Sequence, residues 1–198
     1  MSTYPLPQSA HDMQMTLVTN SKIFTDPFTG AIQSAARNGA RWRLNFNFIN
    51  KSGLARRELQ AFKVKLNGQE HRVQTKDHSY SGALGTPTGT PLVNGGSQTG
   101  TTLITDGWSN LTNIFKTGDQ FQIGNELKMI TADVTSSGTG EATIAFMPPL
   151  RSSPANNAPI IVTDPQGVFI LEGTEHGWGT AVSGHSNFGF SLIEDVLA

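Results

Sequence analysis

The run Arg41-Trp42-Arg43-Leu44-Asn45-Phe46-Asn47-Phe48-Ile49 puts a large apolar residue at every second position. Trp42, Leu44, Phe46 and Phe48 alternate with Arg41, Arg43, Asn45 and Asn47. Successive side chains of a strand point to opposite faces, so this period specifies a half-buried strand and is incompatible with a helix. Such a strand needs neighbours in a sheet and a cover for its apolar face. The rest of the chain supplies the neighbours. It holds 21 glycines and 10 prolines, with 36% hydrophobic and only 15% charged residues. Glycine supplies positive φ and proline fixes φ in tight turns, so the composition suits many short strands and a mainly β fold.

Further segments read the same way. Met15–Val18 and Lys22–Phe24 flank Thr19-Asn20-Ser21, a hairpin-like connection. Asp26-Pro27-Phe28-Thr29-Gly30 is a turn signal, and residues 1–12, polar and proline-containing, read as an arm outside the core. After Ser52-Gly53, Ala55, Leu59, Phe62 and Leu66 recur at helical spacing until Asn67-Gly68 stops the pattern. A type I′ hairpin through Asn67-Gly68 is the rival reading; the helix is preferred, with a strand at His71–Gln74 after it.

Beyond Tyr80 the chain becomes rich in glycine, threonine and proline up to Gly100, which reads as a linker. Short strands at Thr101–Thr105, Gln120–Ile123, Leu127–Ile130 and Ala142–Phe146, with turns between them, outline a small barrel. Val168–Leu171 and Phe188–Ile193 are too few to fold alone. They are expected to complete the N-terminal sheet. The domains are therefore residues 1–83 plus 165–198, a discontinuous β-sandwich-like unit with one short helix, and residues 84–164, an inserted OB-like β-barrel.

Charge is unevenly distributed along the chain. Residues 1–80 hold 11 Lys/Arg against 5 Asp/Glu, and residues 81–198 hold 3 against 10. This polarity favours head-to-tail or side-to-side assembly, or reflects only two folding units of different composition. The chain has no cysteine, which excludes disulfides and thiolate metal sites. No apolar run approaches the ~18 residues that span a bilayer, and no secretion signal is visible, so synthesis in the cytoplasm without membrane anchoring is expected.

A search for chemistry returns little. His11, His71, His78, His176 and His185 include no pair at zincin spacing. His176 and His185, near Glu172 and Glu175, are a conceivable metal set, but loop histidines without chemical role are far commoner. Asp77-His78-Ser79 has the residue types of a hydrolase triad, yet consecutive residues do not converge on one substrate atom. Gly82–Gly89 lacks the Gly-Lys-Ser/Thr of a phosphate loop, and Asp119, Glu126 and Asp133 lack calcium-loop spacing. Residues 81–165 carry 3 basic and 6 acidic residues, which disfavours a phosphate-binding groove. Trp108 and Phe115 could stack on a sugar, although packing in the barrel core is the commoner fate. No catalytic, cofactor or metal residue is assigned, and no enzymatic activity or cofactor is expected.

With these segments in order, the chain resembles the siphophage distal tail proteins of the type with an OB-like inserted domain. Four places carry the resemblance: the helix Leu54–Phe62 after an aromatic-alternating strand, and the strand ending Thr75-Lys76-Asp77-His78; the insert, with Lys116-Thr117-Gly118-Asp119-Gln120-Phe121 and Met147-Pro148-Pro149-Leu150; and the returning hairpin with Gly167-Val168-Phe169-Ile170 and Gly189-Phe190-Ser191-Leu192. It covers residue 40 to the end and leaves residues 1–38 without a distinctive match. The resemblance implies a homohexameric ring at the distal end of the virion tail. That ring joins tail tube protein to baseplate hub or tail tip protein, with viral DNA passing through its lumen. It implies no catalytic residues, and the oligomer interface stays unassigned. The alternative is a carbohydrate-binding, receptor-recognising module of a tail or cell-surface protein. A small β-rich hydrolase, the third reading, lacks a nucleophile–base pair.

Overall fold

The period-two pattern finds its sheet in the computed structural model of the chain, which describes residues 1–195, with the side chains of residues 36–38 excepted. The end of the expected 165–198 segment, residues 196–198, lies outside the described residues. Strand β1 (Thr3–Pro5) is followed by β2 (Asp12–Thr25), β3 (Ile32–Lys51), helix α1 (Gly53–Lys65) and β4 (Arg72–Thr75). Then come β5 (Gly89–Val93), β6 (Gly100–Trp108), β7 (Asn113–Phe115), β8 (Gln120–Ile123) and β9 (Glu126–Ile130). The chain continues through β10 (Val134–Thr135), β11 (Ala142–Leu150), β12 (Ile160–Ile161), β13 (Gly167–Leu171), β14 (Gly179–Thr180) and β15 (Ser186–Glu194). The protein is mainly β, with one helix among the described residues.

Seven strands form the first sheet, in the order β1-β4-β13-β15-β3-β2, with β14 also on β15. The late strands β13 and β15 lie inside it: β13 pairs with β4, and β15 pairs with β3 from Ile193–Arg43 to Ser186–Lys51. Trp42, Leu44, Phe46 and Phe48 are all buried on one face of β3. Phe188, Phe190 and Leu192 of β15 continue that face, and α1 covers it with Leu59 and Phe62, followed by Leu66. The helix reading of residues 53–65 therefore prevails over the hairpin. Its stop comes where Asn67 and Gly68 both take positive φ.

The second sheet runs β12-β8-β9-β11-β6-β5, and an antiparallel bridge between Leu92 and Pro159 brings its two ends together. The nearly closed barrel encloses Leu103, Phe121, Ile144 and Phe146, with Trp108 and Phe115 among the same core. β7 and β10 form a separate two-stranded pair.

Several local expectations are corrected. Thr19-Asn20-Ser21 is no turn: β2 runs through it with a register shift between Val18 and Asn20, and the hairpin turn lies at residues 26–31. This stretch of the β2–β3 ribbon extends past the core, where solvent on both faces accepts polar residues. Residues 1–12 are not wholly outside the core either. Thr3–Pro5 pairs in parallel with β4, and Tyr4, Leu6 and Ala10 pack against the first core. Prolines 5 and 7 disguise this strand, yet an edge strand tolerates proline. The stretch before Gly100 is likewise no mere linker, because it contains β5. Gly89 there and Gly107 of β6 answer close approach: a Cβ on Gly89 would lie 2.2 Å from the Gly107 carbonyl oxygen, and one on Gly107 would lie 2.3 Å from that of Thr90.

Where the two cores meet, Leu127 of β9 is packed into the first one. Trp42 Nε1–H donates to the Leu127 carbonyl at 3.0 Å. The Glu194 carboxylate accepts the backbone N–H groups of Leu127 at 3.0 Å and Trp42 at 3.2 Å. Arg151 Nη1 lies 2.8 Å from Glu194, and its Nε lies 3.7 Å from Glu126, which also receives Lys128 Nζ at 2.5 Å. All four charged side chains are almost fully buried, and they balance at two positive and two negative.

Candidate functional site

The residues with chemical potential are placed in separate structural roles. Asp77 accepts the backbone N–H and the hydroxyl of Ser79, at 2.8 and 2.5 Å, and the side-chain amide of Gln120 at 2.9 Å. His78 turns away from both and takes the backbone N–H of Ala10 at 3.1 Å. Ser79 thus donates to the carboxylate and not to the imidazole, so the three do not form a nucleophile–base relay. Asp119 is 1% exposed and receives the backbone N–H groups of Leu84, Gly85 and Lys116, which pins the glycine-rich segment to the barrel. Asp133 receives Thr117 N–H and Lys116 Nζ, and Glu126 belongs to the buried junction. Among the described residues no three His, Asp or Glu side chains converge in a metal-binding group.

Trp108 and Phe115 meet edge to face at 5.4 Å, both buried, and the indole N–H donates to Thr105 Oγ1 at 2.8 Å. Neither offers a ring face to a sugar.

A surface cleft of about 520 Å³ lies beside β15 under the loop after β13. Asn45, Lys63, Glu172, Glu175, His176 and Ser191 line it. Gly189 lacks a side chain to fill the space, and it shares the lining with Lys63. Its ammonium donates to the carbonyls of Gly177 and Gly189, both at 2.8 Å, 4.9 Å from the Phe190 ring centre. Burial holds its pKa below the ordinary lysine value. Burial pushes the Glu172 carboxyl up, but hydrogen bonds from Arg43 and Ser191, each 2.7 Å, outweigh this and hold it below the usual range. Most of the cleft's polar groups thus serve one another. His185 lines a different cleft from His176, one it shares with Asn50, Ser183 and Asn187.

The unsatisfied surface lies elsewhere. Beyond Arg41 the β2–β3 ribbon carries exposed apolar side chains: Ile23 (68% exposed), Phe24 (57%), Phe28 (96%) and Ile32 (68%). β2 is also the terminal strand of its sheet. A two-stranded ribbon is marginally stable alone in water, and a free edge with apolar neighbours is a template for association. Sequence reasoning missed this surface because adjacent Ile23 and Phe24 look like one strand core until the sheet behind them is seen to end. No protein-family model matches the chain, and no curated protein sequence matches it.

Proposed function

We propose that the chain is a structural protein of a long phage tail, forming a homohexameric ring at the distal end that joins the tail tube to the baseplate or tail tip. DNA passes through the lumen of that ring. The observation that carries this reading is the projecting β2–β3 ribbon with Ile23, Phe24, Phe28 and Ile32 in solvent. A closed ring needs each subunit to present two different, complementary surfaces, and a projecting apolar ribbon is one such surface. The excess of basic residues in 1–80 and of acidic residues in 81–198 supports the same reading through steering and specificity. So does the resemblance to distal tail proteins drawn from the sequence, since an aromatic strand, a helix, a barrel-like unit and two late strands returning to the first sheet follow one another in this chain. The carbohydrate-binding alternative loses support because its two candidate stacking rings, Trp108 and Phe115, are buried.

The test mixes purified chain with a long-tailed phage's tail tube protein and images the product. Six-fold rings in the wild type, absent when Phe24 and Phe28 are replaced by serine, support the proposal. Material with no ring under any mixing condition counts against it.

A further inference from the structure

Two histidines hold the segment that precedes β2. Ser2 N–H donates to His71 Nδ1 at 3.3 Å, and Ala10 N–H donates to His78 Nδ1 at 3.1 Å. These bonds sit at the two ends of residues 2–10, flanking the short parallel pairing of β1 with β4. A neutral imidazole accepts through only one ring nitrogen, and a protonated one accepts through neither. We propose that His71 and His78 form an acid-sensitive latch whose protonation frees residues 2–10 from the sheet, uncovering the β4 edge and the apolar surface under Tyr4 and Leu6.

The geometry fixes the tautomer at His78. With Nδ1 accepting from Ala10, Nε2 carries the proton and faces Thr75 Oγ1 at 3.5 Å, while the ring packs 4.8 Å from that of Phe46. A second proton on this ring would oppose the Ala10 N–H directly. The charged groups around His78 are Lys76 and Asp77 beside it in sequence and Asp164 from the segment before β13, itself paired with Lys76. Residues 2–10 bring only Tyr4 as a titratable group. Burial lowers the affinity of His78 for a proton, Lys76 lowers it further, and Asp77 and Asp164 oppose them. The sign follows. The closed form binds a proton less readily than a free histidine of pKa ~6.5, so closure is fully stabilised above that value and is lost as the pH falls below it.

His71 faces Tyr4 edge-on at 5.5 Å, and Lys65 of α1 already rests over that Tyr4 ring at 3.7 Å. Its chain neighbours are Glu70 and Arg72, the latter paired with Asp195. The other fastenings of the segment are the Arg72 N–H on the Ser2 carbonyl at 3.0 Å, Leu6 N–H on Gln74, the Gln8 side chain on the Ala55 carbonyl and Glu58, the three-residue β1 pairing, and the packing of Tyr4, Leu6 and Ala10 on the first core.

Hydrogen exchange of residues 2–10 at pH 7.5 and pH 5, corrected for intrinsic rates, is the test. Loss of one such bond is expected to raise opening about tenfold. Wild-type amides in residues 2–10 should then exchange at least ten times faster at pH 5, while β3 and β15 stay unchanged. The His71→Asn, His78→Asn double variant, whose amide oxygen replaces Nδ1 as acceptor at every pH, should show no such acceleration. NMR titration of the wild type gives a second readout independent of that variant: the amide shift of Ala10 should move with the midpoint of the His78 ring. Equal protection at both pH values, acceleration in the double variant equal to the wild type, or an Ala10 midpoint unrelated to His78 each overturns the latch.

Discussion

Replacing Glu194 with alanine tests how the two cores are held together. The carboxylate is fully buried, accepts the N–H groups of Leu127 and Trp42, and lies 2.8 Å from Arg151 Nη1. Removal orphans two buried backbone donors, at ~1–3 kcal/mol each. It also strips a guanidinium that is 6% exposed of its nearer partner, and breaking a buried pair from one side costs ~3–5 kcal/mol. These costs share one network and do not add, and Arg151 keeps Glu126 at 3.7 Å. The net expectation is ~4 kcal/mol. For a chain of this size that lowers the melting temperature by ~10 °C. Glu194→Gln keeps an acceptor and should lose less. Glu172→Ala is the control: its pair with Arg43 is about one-third exposed on both sides, so under ~1 kcal/mol should be lost. Urea unfolding followed by tryptophan fluorescence and by circular dichroism measures all three. A loss below 1 kcal/mol for Glu194→Ala, or one equal to that of Glu172→Ala, would refute the assignment of the junction to this cluster.

Phe46→Ala removes a fully buried ring from the first core and should cost ~3–5 kcal/mol, read from the same urea curves. Gly107→Ala forces a Cβ to 2.3 Å from the Thr90 carbonyl oxygen at a φ of +75°, and should destabilise the barrel by at least ~2 kcal/mol; a neutral result would mean that β5 does not lie against β6 as described. The double change Phe24→Ser, Phe28→Ser touches only exposed side chains, so thermal stability should stay within ~0.5 kcal/mol while ring formation is abolished. A large drop in stability would instead make those rings part of the fold.

How much of this was legible depended on whether one face of each element was buried. Trp42 to Phe48 declared their strand because β3 has a dry face and a wet face there, and Ala55, Leu59, Phe62 and Leu66 declared their helix for the same reason. Past Val18 the ribbon has no dry face, so its sequence carries no period and Thr19-Asn20-Ser21 imitated a turn. Gly89 and Pro91 imitated a linker because the close approach of two backbones and flexibility call for the same glycine. The junction was unreadable for another reason: Glu194, Arg151, Glu126 and Trp42 come from distant parts of the chain, and no local pattern marks a charge destined for burial. The histidine contacts were hidden likewise, since the partners of His71 and His78 are backbone groups of residues 2 and 10.

The proposed ring is tested most directly on assembled particles. The proposal predicts that long-tailed phage virions, labelled with antibody against this chain and imaged at a resolution that reveals symmetry, carry it as a six-fold collar at the distal end of the tail. Label on the capsid, label along the tail shaft, or virions that lack the chain altogether would contradict the proposal.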